Sequence, residues 1–133
     1  MNDLTWKRVK FLKNEENIRL IESESGVKLP VEITTCIKQN NGGRPNKDTF
    51  NTHESQERVF KSLLSFNEDD VETVFKVFNM LRMENPNIIP FASDPGGNYI
   101  CYDPRDGIVL WLHETNTVEK ITDNFTDFLS KLY

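Results

Sequence analysis

The chain has 133 residues, of which 37% are hydrophobic and 28% charged, with a net charge of −5. That balance fits one globular domain with its own core, and the acidic excess speaks against the clustered Lys and Arg of a phosphate-backbone footprint. No run approaches the roughly 18 apolar residues of a bilayer span, and the N-terminus lacks the basic-then-apolar order of a secretory signal, so a cytoplasmic protein with no direct nucleic-acid partner and no membrane partner is expected.

The first forty residues read as helical. Phe11-Leu12 leads into Asn14-Glu15-Glu16-Asn17, whose acids suit a helix N-terminus, and Ile18 and Ile21 stand one helical step apart. Gly26 followed by Val27 has the form of a glycine cap with an apolar residue behind it. Leu29-Pro30 restarts the chain with Pro30 at a first helical position, and Ile33, Cys36 and Ile37 share a face before Asn40-Asn41-Gly42-Gly43 stops the helix. Residues 44–56 carry one apolar side chain, Phe50, and read as a loop or a weak edge strand. Val59-Phe60 and Leu63-Leu64 fit a strand. Asn67-Glu68-Asp69-Asp70 then opens a helix with Val71, Val74, Phe75, Phe78 and Leu81 at helical spacing, ended by Asn85-Pro86.

The second half changes period. Ile88 to Ala92, Tyr99 to Tyr102, Ile108 to Leu112 and Val118 to Ile121 are short apolar runs. Asp94-Pro95-Gly96-Gly97, Asp103 to Gly107 and Glu114 to Thr117 separate them as turns. Short strands joined by short turns predict an antiparallel meander. A last helix from Asp123, with Thr122 as its cap, buries Phe125, Phe128, Leu129 and Leu132. Strands that run together without alternating with helices give the class α+β, a central mainly antiparallel sheet flanked by helices.

Chemistry is sparse along this chain. Two cysteines and two histidines without a CxxC leave no set for a structural zinc, and Cys36 and Cys101 read as buried free thiols rather than a disulfide. Gly96-Gly97 lacks both phosphate-loop patterns, so a strand reversal is the favoured reading. His113 beside Glu114 invites acid–base work, but its place at a strand end favours a rim residue. Asp94, Asp103, Asp106 and Glu114 all fall at or beside turns, where aspartate occurs for turn reasons. The alternatives for these acids are a partner-binding rim, or paired-carboxylate or metal chemistry. Tyr99 and Tyr102, three apart in a strand, face opposite sides, which leaves one ring for an exposed anchor. No catalytic, metal or cofactor set stands out, and a binding protein without enzymatic activity is expected.

Three stretches, in order, resemble one family. Ile89-Pro90-Phe91-Ala92-Ser93-Asp94-Pro95-Gly96-Gly97-Asn98-Tyr99-Ile100-Cys101-Tyr102-Asp103 resembles the central signature of the SUKH superfamily. Before it stand Glu22, the Gly26 to Pro30 step and Asn41-Gly42-Gly43; after it stand Val109 to Glu114 and Phe125 to Leu129. The resemblance covers nearly the whole chain and departs from the family pattern in residues 44–56, which lack the usual apolar strand character. It implies one SUKH-like domain over residues 1–133, built as helices around a central sheet. It also implies a role: bacterial members are immunity proteins encoded beside polymorphic toxins, many of them nucleases, while fungal relatives resemble regulators of cell-wall synthesis and signalling. The partner expected on that ground is a cognate toxin, a basic nuclease domain that an acidic cap would steer onto. The alternative is a regulatory interaction module with no toxin partner. The expected contact face is the rim of the meander turns, with charge from Asp94, Asp103, Asp106 and Glu114 and aromatic anchors in Tyr99 and Trp111.

Overall fold

Apolar runs too short for helices, each closed by a Pro/Gly/Asp turn, fold as the meander they predict. The computed structural model describes residues 4–133. In chain order these form β1 (Trp6–Lys7), α1 (Glu16–Ser25), α2 (Val31–Asn40), β2 (Arg44–Pro45), β3 (Thr49–Phe50), β4 (Arg58–Val59), β5 (Ser62–Leu63), α3 (Val74–Leu81), β6 (Ile89–Ser93), β7 (Tyr99–Asp103), β8 (Gly107–Leu112), β9 (Thr117–Thr122) and α4 (Phe125–Ser130). Strands β5 to β9 pair in sequence order, every neighbour antiparallel, and β1–β2 and β3–β4 make two small ribbons. The class is α+β. Pro90 stands inside β6, a strand paired on both sides, where a missing N–H would break a ladder. The register shift between Pro90 and Ala92 is the bulge that accommodates it.

The helices on the sheet are held by their apolar stripes. Helix α1 buries Ile18 and Ile21 and ends on Gly26 at φ 71°, whose N–H donates to Glu22 O. Helix α2 buries Ile33, Cys36 and Ile37. Helix α3 packs on β6, and α4 on β8 and β9. Between them runs a chain of aromatic rings. Trp6 meets Phe60 edge-on, Phe60 stacks on Phe128, Phe128 touches Phe125, and Phe125 meets Phe91 edge-on.

Five expectations need correction. Of the expected N-terminal helix, residues 1–3 lie outside the described residues and residues 4–15 are not helical: Trp6 and Lys7 form a strand against Pro45 and Arg44, and Arg8 takes φ 59°, outside the helical region. Pro30 is the cap before α2 and not its first residue, because its ψ of 150° is extended. Val59-Phe60 and Leu63-Leu64 do not make one strand; β4 joins the ribbon with β3, and β5 joins the large sheet. Helix α3 opens at Val74 and not at Asn67, and Val71, expected on its buried stripe, is 85% exposed. The reason is local competition from polar side chains. Buried Asn67 accepts from Lys13 N and donates to Phe11 O, Ser65 donates to Asp70, and Thr73 caps the helix by accepting from Lys76 N. Finally, Asn124 and not Thr122 caps α4, its Oδ1 accepting from Asp127 N at 2.8 Å, while the Thr122 hydroxyl donates to Asn124 O.

Residues 44–56 hold only the two-residue strands β2 and β3 within loops, as their polarity predicts. Both cysteines are free and buried. Burial pushes the Cys36 thiol up to about 11, with the Asn40 contact pulling weakly the other way. Complete burial, and then the Asp103 charge, push Cys101 higher still. The folded protein therefore holds both protons more tightly than the unfolded chain does. That contribution is intact below about pH 9, the ordinary thiol value, and is lost as the pH rises through the folded values. A thiol reagent at pH 8 is expected to label neither cysteine in the native protein and both in guanidinium. Fast stoichiometric labelling of the native protein would show that the burial is wrong.

Candidate partner-binding surface

A meander sends alternate turns to opposite ends of its sheet, so the acids expected on one rim are divided. Asp94, Tyr99, Trp111 and Glu114 lie at the end formed by the β6–β7 and β8–β9 turns, whereas Asp103 and Asp106 lie at the β7–β8 turn. The four steps of β7 separate those ends by about 13 Å.

At the first end, the Asp94 carboxylate is engaged inside its own turn. One oxygen accepts from Gly96 N at 2.8 Å and Asn98 N at 2.7 Å, and the other from Asn98 Nδ2 at 2.9 Å. Asn98 passes the restraint across: its Oδ1 accepts from His113 N at 3.0 Å and faces His113 Nδ1 at 2.9 Å. The His113 ring lies over Gly97, where a Cβ would stand 3.4 Å from Cε1. The ring leaves room for a Cβ at ordinary contact distance, but Gly97 takes φ 87°, and it is this backbone that favours glycine.

The aromatic pair is built next to this turn. Tyr99 and Trp111 are cross-strand partners, their rings 6.3 Å apart and inclined by 22°. Trp111 is 6% exposed and donates from Nε1 to Asn116 Oδ1 at 2.8 Å. It is thus a support rather than an open anchor, and Tyr99, half-buried, is the ring that reaches solvent. Desolvation first, then the charges of Glu72 and Asp94, raise the Tyr99 hydroxyl above its ordinary value, so it stays a neutral donor. Asn116, at φ 53°, also accepts from Asn85 Nδ2 at 2.8 Å and donates to Glu84 Oε2 at 3.1 Å, tying the segment after α3 to the β8–β9 turn. Exposed Met83 and Val118 flank the tied residues, and Glu114 is exposed.

At the second end, buried Asp103 accepts from Arg105 N at 2.8 Å, with Arg105 Nε at 3.5 Å. Its charge is used within the turn, while Asp106 is exposed. Elsewhere a groove of about 770 Å³ runs between α1 and α2, past Glu16, Arg19, Glu22 and Lys38, and one of about 400 Å³ lies between α2 and α4, past Trp6, Cys36 and Phe125. Among the described residues, no three His, Cys, Asp or Glu side chains come together to hold a metal ion, and no helix is long and apolar enough to cross a membrane.

Residues 14–131 match the SMI1 / KNR4 family, SUKH-1. The chain belongs to this family. None of the curated protein sequences matches it. SUKH domains are generally immunity proteins for toxins and typically carry no enzymatic activity, so SUKH-1 membership points to a protein partner. In this SUKH-1 chain the signature around Asp94 to Asp103 therefore has a structural job at both ends: Asp94 with Asn98 and Asp103 with Arg105 each close a turn of the sheet. Asn98, Asn116, Glu84 and Met83 are not among the residues that the sequence marks for this site. Asn98 was legible as the polar residue after a glycine pair, a turn position. Asn116 and Glu84 were not, because they meet only when α3 lies beside the β8–β9 turn.

Proposed function

We propose that this SUKH-1 protein is an immunity protein that binds a cognate toxin, and that the toxin docks on the end of the sheet formed by the β6–β7 and β8–β9 turns. The supporting observation is the Tyr99–Trp111 platform, pinned by the Trp111 bond to Asn116, at the same end of the sheet as the exposed acid Glu114. A rigid aromatic ring that loses little freedom on contact, rimmed by charge, is the usual make-up of an energetic centre in a protein interface. An interface of standard size takes about 800 Å² from each partner, a small share of the 7196 Å² that this molecule exposes. The net charge of −5 suits a basic partner, and a nuclease, which must attract phosphates, is the class of toxin that presents one.

Co-expression with the product of the adjacent upstream gene is expected to give a stable complex and to rescue growth. Within that complex, Tyr99→Ala should weaken binding by about 30-fold or more, mostly through faster dissociation. Glu114→Lys should slow association and flatten its salt dependence. Asp106→Asn, at the far end, should leave both rates unchanged. A folded Tyr99→Ala, Glu114→Lys double variant that binds as the parent does would place the toxin elsewhere.

A further inference from the structure

We infer that the β1–β2 ribbon and residues 8–11, which follow β1, form a peripheral docking surface for an anionic lipid membrane. The starting point is a local reversal of charge. In a chain of net charge −5, Lys7, Arg8, Lys10 and Arg44 all stand exposed on or beside one two-stranded ribbon. Lys7 and Arg44 are direct cross-strand partners, and like charges opposite one another oppose pairing. None of these four cations has an acidic partner within 4 Å among the described residues, whereas eight of the other twelve lysines and arginines have one.

Apolar side chains interleave with these charges. Val9 is 43% exposed and Phe11 83%, while their neighbour Leu12 is buried. The exposure of Phe11 is built in, because the backbone on both sides of it is clamped. Lys10 N donates to Asn41 O at 2.7 Å, and Asn41 Nδ2 returns a bond to Lys10 O at 3.0 Å. Asn67 Nδ2 donates to Phe11 O at 2.8 Å, and Asn67 Oδ1 accepts from Lys13 N at 2.9 Å. Both asparagines are buried. The bare backbone of Gly42-Gly43 lets the segment lie flat: a Cβ on Gly42 would meet Lys10 Cδ at 3.3 Å, and one on Gly43 would meet Val9 Cγ2 at 3.1 Å. The backbone that carries the ring therefore has little ordering left to lose on contact.

The chemistry selects the occupant. Lys7 and Lys10 are of a type depleted in protein interfaces, while Arg8 and Arg44 suit a protein and a headgroup alike, so the choice rests on how cations and apolar side chains combine. Single-stranded nucleic acid wants a cationic groove with stacking rings. Here Phe11 is open while Trp6 is half-buried and packed on Phe60, aliphatic Val9 cannot stack, and neither groove described above is lined by these four cations. An anionic bilayer takes both components, cations against headgroups and apolar side chains at the acyl boundary. The expectation of no membrane partner rested on the lack of a long apolar run, which speaks to spanning and not to adsorption.

The test is flotation of the full chain with vesicles of phosphatidylcholine, with and without a third of phosphatidylglycerol. Binding is expected only to the anionic vesicles and should fade at high salt. Lys7→Gln and Lys10→Gln should each weaken it by about fivefold, and Phe11→Ser by about tenfold or more. All three side chains are exposed, so the variants fold. No binding to anionic vesicles at low salt would overturn the inference, as would parental binding by the Lys10→Gln, Phe11→Ser double variant. Binding to an oligouridylate with none to vesicles would also overturn it and assign the patch to nucleic acid. Toxin neutralisation should be untouched in these variants, so the lipid surface and the toxin surface stand or fall separately.

Discussion

Replacing Phe128 with alanine is expected to cost about 3–5 kcal/mol of folding stability, close to half of what a domain of this size possesses. Phe128 is fully buried in α4 and joins the three parts of the aromatic chain. Its ring lies 5.4 Å from Phe50, edge-on, 5.8 Å from Phe60, stacked, and 6.2 Å from Phe125. Phe50 and Phe60 come from the polar first half and have little other regular structure to hold them, β3 being two residues long. Deleting the ring removes its own transfer energy and leaves a cavity whose walls are other rings, which collapse poorly. Phe128→Leu keeps most of the volume and should cost about half as much. Chemical denaturation of both variants checks this. A loss below about 1 kcal/mol for alanine would mean that α4 is not the keystone that the ring contacts make it.

Gly107→Ala is expected to destabilise the protein by about 3 kcal/mol, lowering the melting temperature by roughly 10 °C. Two independent penalties meet at this residue. Its φ of 90° lies in the region that L side chains avoid. A Cβ there would also stand 2.6 Å from Thr122 O, and closer still to Asp123 O, both of them backbone atoms that no rotamer change can move. Gly107 opens β8 opposite Asp103, so the strain falls on the β7–β8 turn and on the junction of β9 with α4 together. Calorimetry should show the loss, and the Asp103→Asn variant, which keeps an acceptor for Arg105 N, should show much less. An alanine variant as stable as the parent would mean that this turn can relax in a way that the backbone geometry does not allow.

The elements that were legible in the sequence are those whose cause is local. Gly26 and Asn41-Gly42-Gly43 stop their helices because a left-handed residue or a bare backbone does so wherever it occurs. The four meander strands were visible because each apolar run is closed by its own turn. The sequence misleads where polar side chains have distant partners. Asn67-Glu68-Asp69-Asp70 has the composition of a helix start, yet Asn67 is committed to Phe11 and Lys13, more than fifty residues away, and the helix waits for Thr73. Trp6 and Lys7 carry no strand pattern; they pair because Arg44 and Pro45 are brought alongside.

The candidate site divides in the same way. Composition and turn chemistry alone marked Asp94, Asp103, Asp106 and Glu114 as turn acids, and the alternation of Tyr99 and Trp111 marked them as strand aromatics. Only the folded sheet decides which of these share an end, because consecutive turns of a meander point in opposite directions and put Asp103 and Asp106 away from Glu114. Only the folded chain decides that Asp94 and Asp103 spend their charge on backbone amides, that Trp111 supports Tyr99 from below, and that Phe11 is held out in solvent by two buried asparagines. The physical reason is range. Propensity, capping and turn geometry act within about four residues and can be read along the chain. Burial and hydrogen-bond partnership depend on which segments, far apart in sequence, fill the same space.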